Sequence, residues 1–149
     1  MNTNEEIKAT GRLDIVIYGP DGSVKDSRHV DNLVVTTGLG YIASRMKDAT
    51  ATAMSHMAVG SGTAAAAAGN TALGTELGRV ALTSTTVTGA QVQYQSTFGP
   101  GVGTGAVSEA GIFNAASAGT MLCRTAFAVV NKEAADTLGI TWTVTIGAA

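Results

Sequence analysis

The chain has 149 residues, 13% charged and 5% aromatic, with a net charge of −2, two histidines and one cysteine. This is one domain's worth of chain, long enough to bury a hydrophobic core without disulfides or metals, and the lone Cys123 excludes an intramolecular disulfide. Nine scattered Lys and Arg residues form no basic run, which argues against a dedicated nucleic-acid binder, and no stretch reaches the ~18 apolar residues of a membrane span.

Residues 1–10 read as a flexible polar arm, and residues 11–149 as a single β-sandwich domain. The N-terminus has no apolar core of a signal peptide. Leu13, Ile15 and Ile17 alternate with Arg12, Asp14, Val16 and Tyr18, the period of a half-buried strand. Gly19-Pro20-Asp21-Gly22 is turn chemistry, and the chain returns through Val24 to Val35 as the second arm of a hairpin. Thr36 and Thr37 can cap a helix over 38–47, with Leu39, Ile42, Ala43 and Met46 at i, i+3, i+4 and i+7 as its apolar face.

Met54 to Val59 is a short apolar strand ended by Gly60-Ser61-Gly62-Thr63. The run Ala64–Ala68 favours helix but is too short to hold one. Thr71–Leu77 is either a helical turn or a loop burying Leu73 and Leu77. Strands follow over Val80–Val87, Gln91–Phe98, Ala106–Asn114, Thr120–Val130 and Leu138–Ile146. Gln91–Phe98 and Leu138–Ile146 alternate most cleanly. Gly99–Gly105 reads as a flexible hairpin tip available to a partner. Seven to eight strands, Gly-rich turns and one helix predict a mainly β fold, an antiparallel β-sandwich of jelly-roll-like type.

No residue constellation carries chemistry. Ser27, His29 and Asp31 share one strand face, but no Gly-x-Ser-x-Gly elbow accompanies them, so a solvated face is the reading. His56 reads as a hydrogen-bonded core or edge histidine. Two distant histidines and one cysteine have no zinc spacing. Asp14, Asp21, Asp26 and Asp31 are too evenly spread for a calcium loop. Gly60–Thr63 lacks the lysine of a phosphate-binding loop, and Gly99–Gly105 lacks its helix. Glu109 sits among small and apolar residues; it either faces solvent or pairs with a cation such as Arg79 or Arg124. Cys123 reads as a buried, inert thiol. Catalytic, cofactor and metal residues are therefore expected to be none, and the chain is expected not to be an enzyme.

Met57-Ala58-Val59-Gly60-Ser61-Gly62-Thr63 and Ala68-Gly69-Asn70-Thr71-Ala72-Leu73-Gly74-Thr75-Glu76-Leu77-Gly78-Arg79 resemble a pattern in tailed-bacteriophage virion proteins. There, a strand ends in Val-Gly-x-Gly-Thr, and a loop with x-Gly-x-Thr-x-Leu-x-x-Glu leads into the next strand. Ser108–Asn114 and Asp136–Val144 are similar to later blocks of the same proteins, so the resemblance spans roughly residues 33–146. It implies a capsid decoration (cement) protein with a jelly-roll-like sandwich, bound to the exterior of a virion whose major capsid protein has the HK97-like fold, and made in the bacterial host cytoplasm. A tail- or baseplate-associated short fibre or adaptor is the alternative. The lack of a long fibrous extension in these 149 residues speaks for the cement reading. The low charge and abundance of small residues suit a surface that spends its life against partners. Self-association is expected as a homodimer, with a homotrimer the other option. No nucleic acid and no membrane are expected as partners.

Overall fold

The computed structural model describes residues 6–47 and 51–148. Among these residues nine antiparallel strands and one helix follow in the order β1 (Ile7–Tyr18), β2 (Val24–Val34), α1 (Thr36–Lys47), β3 (His56–Gly60), β4 (Glu76–Ala81), β5 (Ser84–Thr88), β6 (Gln91–Phe98), β7 (Gly105–Phe113), β8 (Met121–Lys132) and β9 (Thr137–Ala148). The strands form one continuous sheet in the order β4-β3-β7-β8-β2-β1-β9-β6-β5. The fold is mainly β and antiparallel, with one helix, as the patterning predicts. No described helix is long and apolar enough to cross a membrane.

The sheet curls at β2. Gly11 to Tyr18 of β1 pair with Val24 to Asn32, whereas only Leu33 and Val34 reach β8. Where β2 and β8 part, Arg28 bridges them by donating to the carbonyls of Ala128 and Val129, and Thr125 Oγ1 donates to the carbonyl of Asp31. Both halves of the curled sheet then bury side chains into one core. Leu13, Ile15 and Ile17 of β1 and Leu138, Ile140 and Trp142 of β9 meet Met57, Val59, Val107 and Ile112 from the other half. This is hydrophobic burial with the period of two that the sequence displays.

Several expectations need correction. Residues 7–10 are not an arm but the start of β1, where Ile7–Thr10 pair with Thr145–Ala148; residues 1–5 of the expected arm lie outside the described residues. The expected strand over Val80–Val87 is two strands, β4 and β5, broken at Leu82-Thr83. Ala64–Ala68, too short to hold a helix, forms none, and Thr71–Thr75 takes the loop alternative with Leu73 packed inward; Leu77, expected buried in that loop, is exposed instead.

The helix forms where expected, starting two residues earlier, but presents a different face. Leu39 is 51% and Met46 79% exposed, while Gly38 is buried and Tyr41 and Ile42 pack on the core. The cause lies at Gly38: a Cβ there would overlap the carbonyl of Leu122, so the first turn sits directly on the β8 backbone. Thr37 caps nothing; its hydroxyl donates to the carbonyl of Met121. The amide of Thr36, left open at a helix start, donates to the carbonyl of Ala68.

Candidate functional site

Three of the sequence blocks singled out above converge on one carboxylate. Antiparallel pairing of β3 with β7 sets Gly60 opposite Glu109, and pairing of β7 with β8 sets Gly111 opposite Arg124. These residues lie on the sheet face turned away from the main core. Glu109 is fully buried there because the segment 61–75 lies across it. One carboxylate oxygen accepts the amides of Gly62 at 2.6 Å and Thr75 at 2.8 Å. The other accepts the amide of Gly74 at 2.7 Å and Arg124 Nη2 at 3.0 Å. Arg124 itself continues outward to Asn70 Oδ1 and the Ala64 carbonyl. Ser108 Oγ adds a bond to the carbonyl of Gly62.

Burial by itself would raise the Glu109 pKa. The amides of Thr75, Gly74 and Gly62 and the Arg124 guanidinium outweigh it and hold the carboxyl below its ordinary value. The glycines of Val59-Gly60-Ser61-Gly62-Thr63 have a steric reason: a Cβ on Gly62 would overlap Glu109 Oε2, and one on Gly60 would lie 2.6 Å from it. Both carboxylate oxygens are thus committed to internal donors. The arrangement is an ionised latch that fastens a long loop to the sheet, and it has no proton to exchange with a substrate. Of the two partners open to Glu109 from sequence, Arg124 is the one. Arg79 instead pairs with Glu76 at 2.7 Å, donates to the carbonyls of Ala115 and Ala118, and lies over the Phe113 ring.

The same loop encloses a second, small core that periodicity alone does not reveal. Val35, Ala58, Phe113 and Met121 cluster beneath Leu73. This explains why β7 is buried on both faces and lacks a polar alternation.

The remaining candidates stand apart. Ser27, His29 and Asp31 do share an exposed strand face. The His29 ring is engaged by Asp14 of β1, directly across the ladder, and not by Asp31. His56 is half-buried and hydrogen-bonded to Ser55 Oγ at 2.8 Å. Cys123 is fully buried, which pushes its thiol pKa well up. Among the described residues no group of three His, Cys, Asp or Glu side chains is placed to hold a metal ion.

The Gly99–Gly105 loop does not project as a free tip. The Gly101 amide donates to the Ala134 carbonyl, and buried Lys132 donates through Nζ to the Gly99 carbonyl at 2.9 Å. Gly103 is buried with φ of 64°, and a Cβ there would lie 2.8 Å from Val59. Nearby, Asp136 accepts Lys25 Nζ at 2.8 Å and the Glu133 amide at 2.9 Å.

Two open surfaces stand out among the described residues. One is the outward face of β1, β9, β6 and β5, where cross-strand rows such as Arg12-Thr143-Gln93-Thr86 and Asp14-Thr141-Gln95-Ser84 present hydroxyl, amide and paired charged groups. The other is an open apolar groove of about 390 Å³ between α1 and the β5 end of the sheet, lined by Ile42, Met46, Thr85, Val87, Val92 and Ile146 among others. Strand β5 forms the rim of that groove and the end of the sheet, and all five of its residues are exposed. Comparison with known proteins adds no relative: no family model, no curated protein and no solved structure matches this chain.

Proposed function

We propose that this chain is a non-enzymatic structural protein of a tailed-bacteriophage virion, of the capsid decoration (cement) type. In this reading it binds the outer surface of a shell of HK97-like major capsid protein and stabilises it. One observation carries the proposal. Three of the four blocks that resemble virion proteins meet at Glu109, where both carboxylate oxygens and the Arg124 guanidinium are spent on holding the loop 61–75 to the sheet. Residues used this way make a rigid body and leave the surface as the working part.

The physical logic of cementing is mass action. A protein that binds the assembled shell and not its free subunits shifts the equilibrium toward the shell. Many copies on one particle allow a modest affinity at each site. A near-neutral exterior with net charge −2 and a polar, hydroxyl-rich sheet face suits contact with a protein surface better than with nucleic acid.

The experiment is to count copies per purified virion by quantitative mass spectrometry and to heat virions with and without the protein. Hundreds of copies, and depleted heads that release DNA at lower temperature, are expected. A handful of copies located at the tail would replace this reading with a tail or baseplate adaptor. Absence from particles, or depleted heads of unchanged heat resistance, would overturn it.

A further inference from the structure

We propose that the protein forms a two-fold symmetric dimer by pairing β5 with β5 of a second copy, antiparallel and centred on Thr86. The inference does not rest on the shell-binding reading, because purified protein without capsids reports it.

The two ends of the sheet are treated differently. At one end, β4 carries Glu76 and Arg79 and is packed through Gly78 against Gly103, where a Cβ would lie 2.8 Å from the Gly103 amide nitrogen. At the other end, Ser84-Thr85-Thr86-Val87-Thr88 has no charge, no proline and no irregularity within its pairing to β6. Edge strands are ordinarily blunted by such devices, because a bare row of amides and carbonyls templates another strand. Val87, at 70% exposure, adds an apolar side chain to the open edge.

The ladder fixes what a partner must look like. Gly89 and Ala90 join β5 to β6 as a two-residue connection, with Gly89 at φ of 57° and Thr88 opposite Gln91. Such a hairpin hydrogen-bonds its closing pair, and bonded and unbonded pairs alternate from there. Thr86, opposite Gln93, therefore spends its amide and carbonyl on β6. Thr85 and Val87 turn theirs outward. A second copy, rotated about an axis through Thr86, places its Val87 opposite Thr85 and its Thr85 opposite Val87. Each of those two pairs exchanges two backbone bonds, while Thr86 meets its own mate in an unbonded pair.

That register also matches the faces. Thr85 and Val87 line the apolar groove, whereas Ser84, Thr86 and Thr88 continue the polar outer rows. In the dimer, the copy's Val87 lands beside Thr85 at the groove mouth, close to Met46, itself 79% exposed. The polar rows run on across the axis. A charged strand would repel its own copy in an isologous contact; this one brings no charge to the axis. Neutrality, self-matching faces and an unbonded central pair favour a second copy over a strand of different composition.

The test uses the purified full chain. Sedimentation should show a dimer. Val87→Lys, at an exposed position that leaves the monomer intact, should weaken it at least about tenfold with an unchanged far-UV spectrum. Unbonded cross-strand Cα atoms lie about 4.5 Å apart, within disulfide reach. Thr86→Cys should therefore give a disulfide-linked dimer under mild oxidation. Thr88→Cys should not link, because its mate would be about 13 Å away along the strands, and buried Cys123 cannot substitute. A monomeric wild-type protein overturns the proposal. So does a dimer that Val87→Lys leaves intact and Thr86→Cys fails to link.

Discussion

Trp142 Nε1 donates to Asn32 Oδ1 at 2.9 Å, across an intervening strand. Asn32 sits on β2 and Trp142 on β9, with β1 between them. The contact is possible because Asn32 pairs with Gly11, the bare position of β1; a Cβ there would overlap the Asn32 amide group. Gly11→Ala should expel Asn32 and leave the indole N–H of a fully buried ring without an acceptor, a loss of about 1–3 kcal/mol. Asn32→Ala should cost a similar amount. The double variant should cost no more than Asn32→Ala alone, because the overlap is gone. Denaturant unfolding followed by the fluorescence of the single tryptophan measures all three, and additive losses would contradict the account.

Removing one partner of the Glu109–Arg124 pair should be severe. Arg124→Met leaves a buried carboxylate short of its counter-charge, and breaking such a pair costs about 3–5 kcal/mol. Glu109→Leu removes the acceptor of three backbone amides as well and should cost more than Arg124→Met. The double variant should resemble Glu109→Leu, since the amides of Gly62, Gly74 and Thr75 remain unanswered. Urea midpoints, with limited proteolysis reading cleavage within 61–75, check the order of these effects.

Acid should weaken the fold through the same latch. The Glu109 carboxyl is held below its ordinary value by the amides and Arg124, against the opposing effect of burial. Asp136 is likewise lowered by Lys25 and the Glu133 amide. A carboxyl with a depressed folded pKa contributes stability that is complete above its unfolded value, about 4 for Asp and Glu, and lost as pH falls through the folded value. Urea midpoints should therefore be flat above about pH 5 and fall steadily below about 4. Glu109→Gln should begin from a lower midpoint and lose less on acidification. An equally steep acid dependence in that variant would show that other groups dominate.

Much of this fold is legible residue by residue, because a strand with one wet face must alternate. Leu13, Ile15 and Ile17, then Tyr94, Ser96 and Phe98, then Leu138, Ile140, Trp142 and Val144 are buried in the phase the sequence displays. Gly19-Pro20-Asp21-Gly22 turns as its chemistry requires, with Gly22 at φ of 82° and Asp21 accepting from the amide and hydroxyl of Ser23. What stays hidden depends on partners distant in the chain. Nothing local to Glu109 distinguishes Arg79 from Arg124, which lies 15 residues away. The helix face follows from the approach of Gly38 to the Leu122 backbone and not from the i, i+3, i+4, i+7 pattern. The loop 61–75 has the composition of a surface segment, yet it covers a second core: Leu73 packs there, while the loop is fastened to Glu109 by backbone amides that carry no sequence signature.

Two glycines of one helix should respond to alanine with opposite sign. Gly38 and Gly40 both lie in α1, two residues apart. Glycine in a helix costs about 0.8–1 kcal/mol relative to alanine through backbone entropy, so in open space Gly→Ala stabilises. At Gly40 no atom lies within 4 Å of an added Cβ, and Gly40→Ala should stabilise by nearly that full amount. At Gly38 the added Cβ would overlap the carbonyl carbon and oxygen of Leu122, which is backbone of β8 and cannot rotate aside. The helix would have to lift, taking with it the Val35 amide bond to the Leu122 carbonyl and the Thr37 bond to Met121. That displacement outweighs the helix-propensity gain, and Gly38→Ala should destabilise by about 2–3 kcal/mol. Thermal unfolding of the two variants beside the wild type gives the answer in one experiment. If both shifted the midpoint upward, the close seating of α1 on β8 would be wrong.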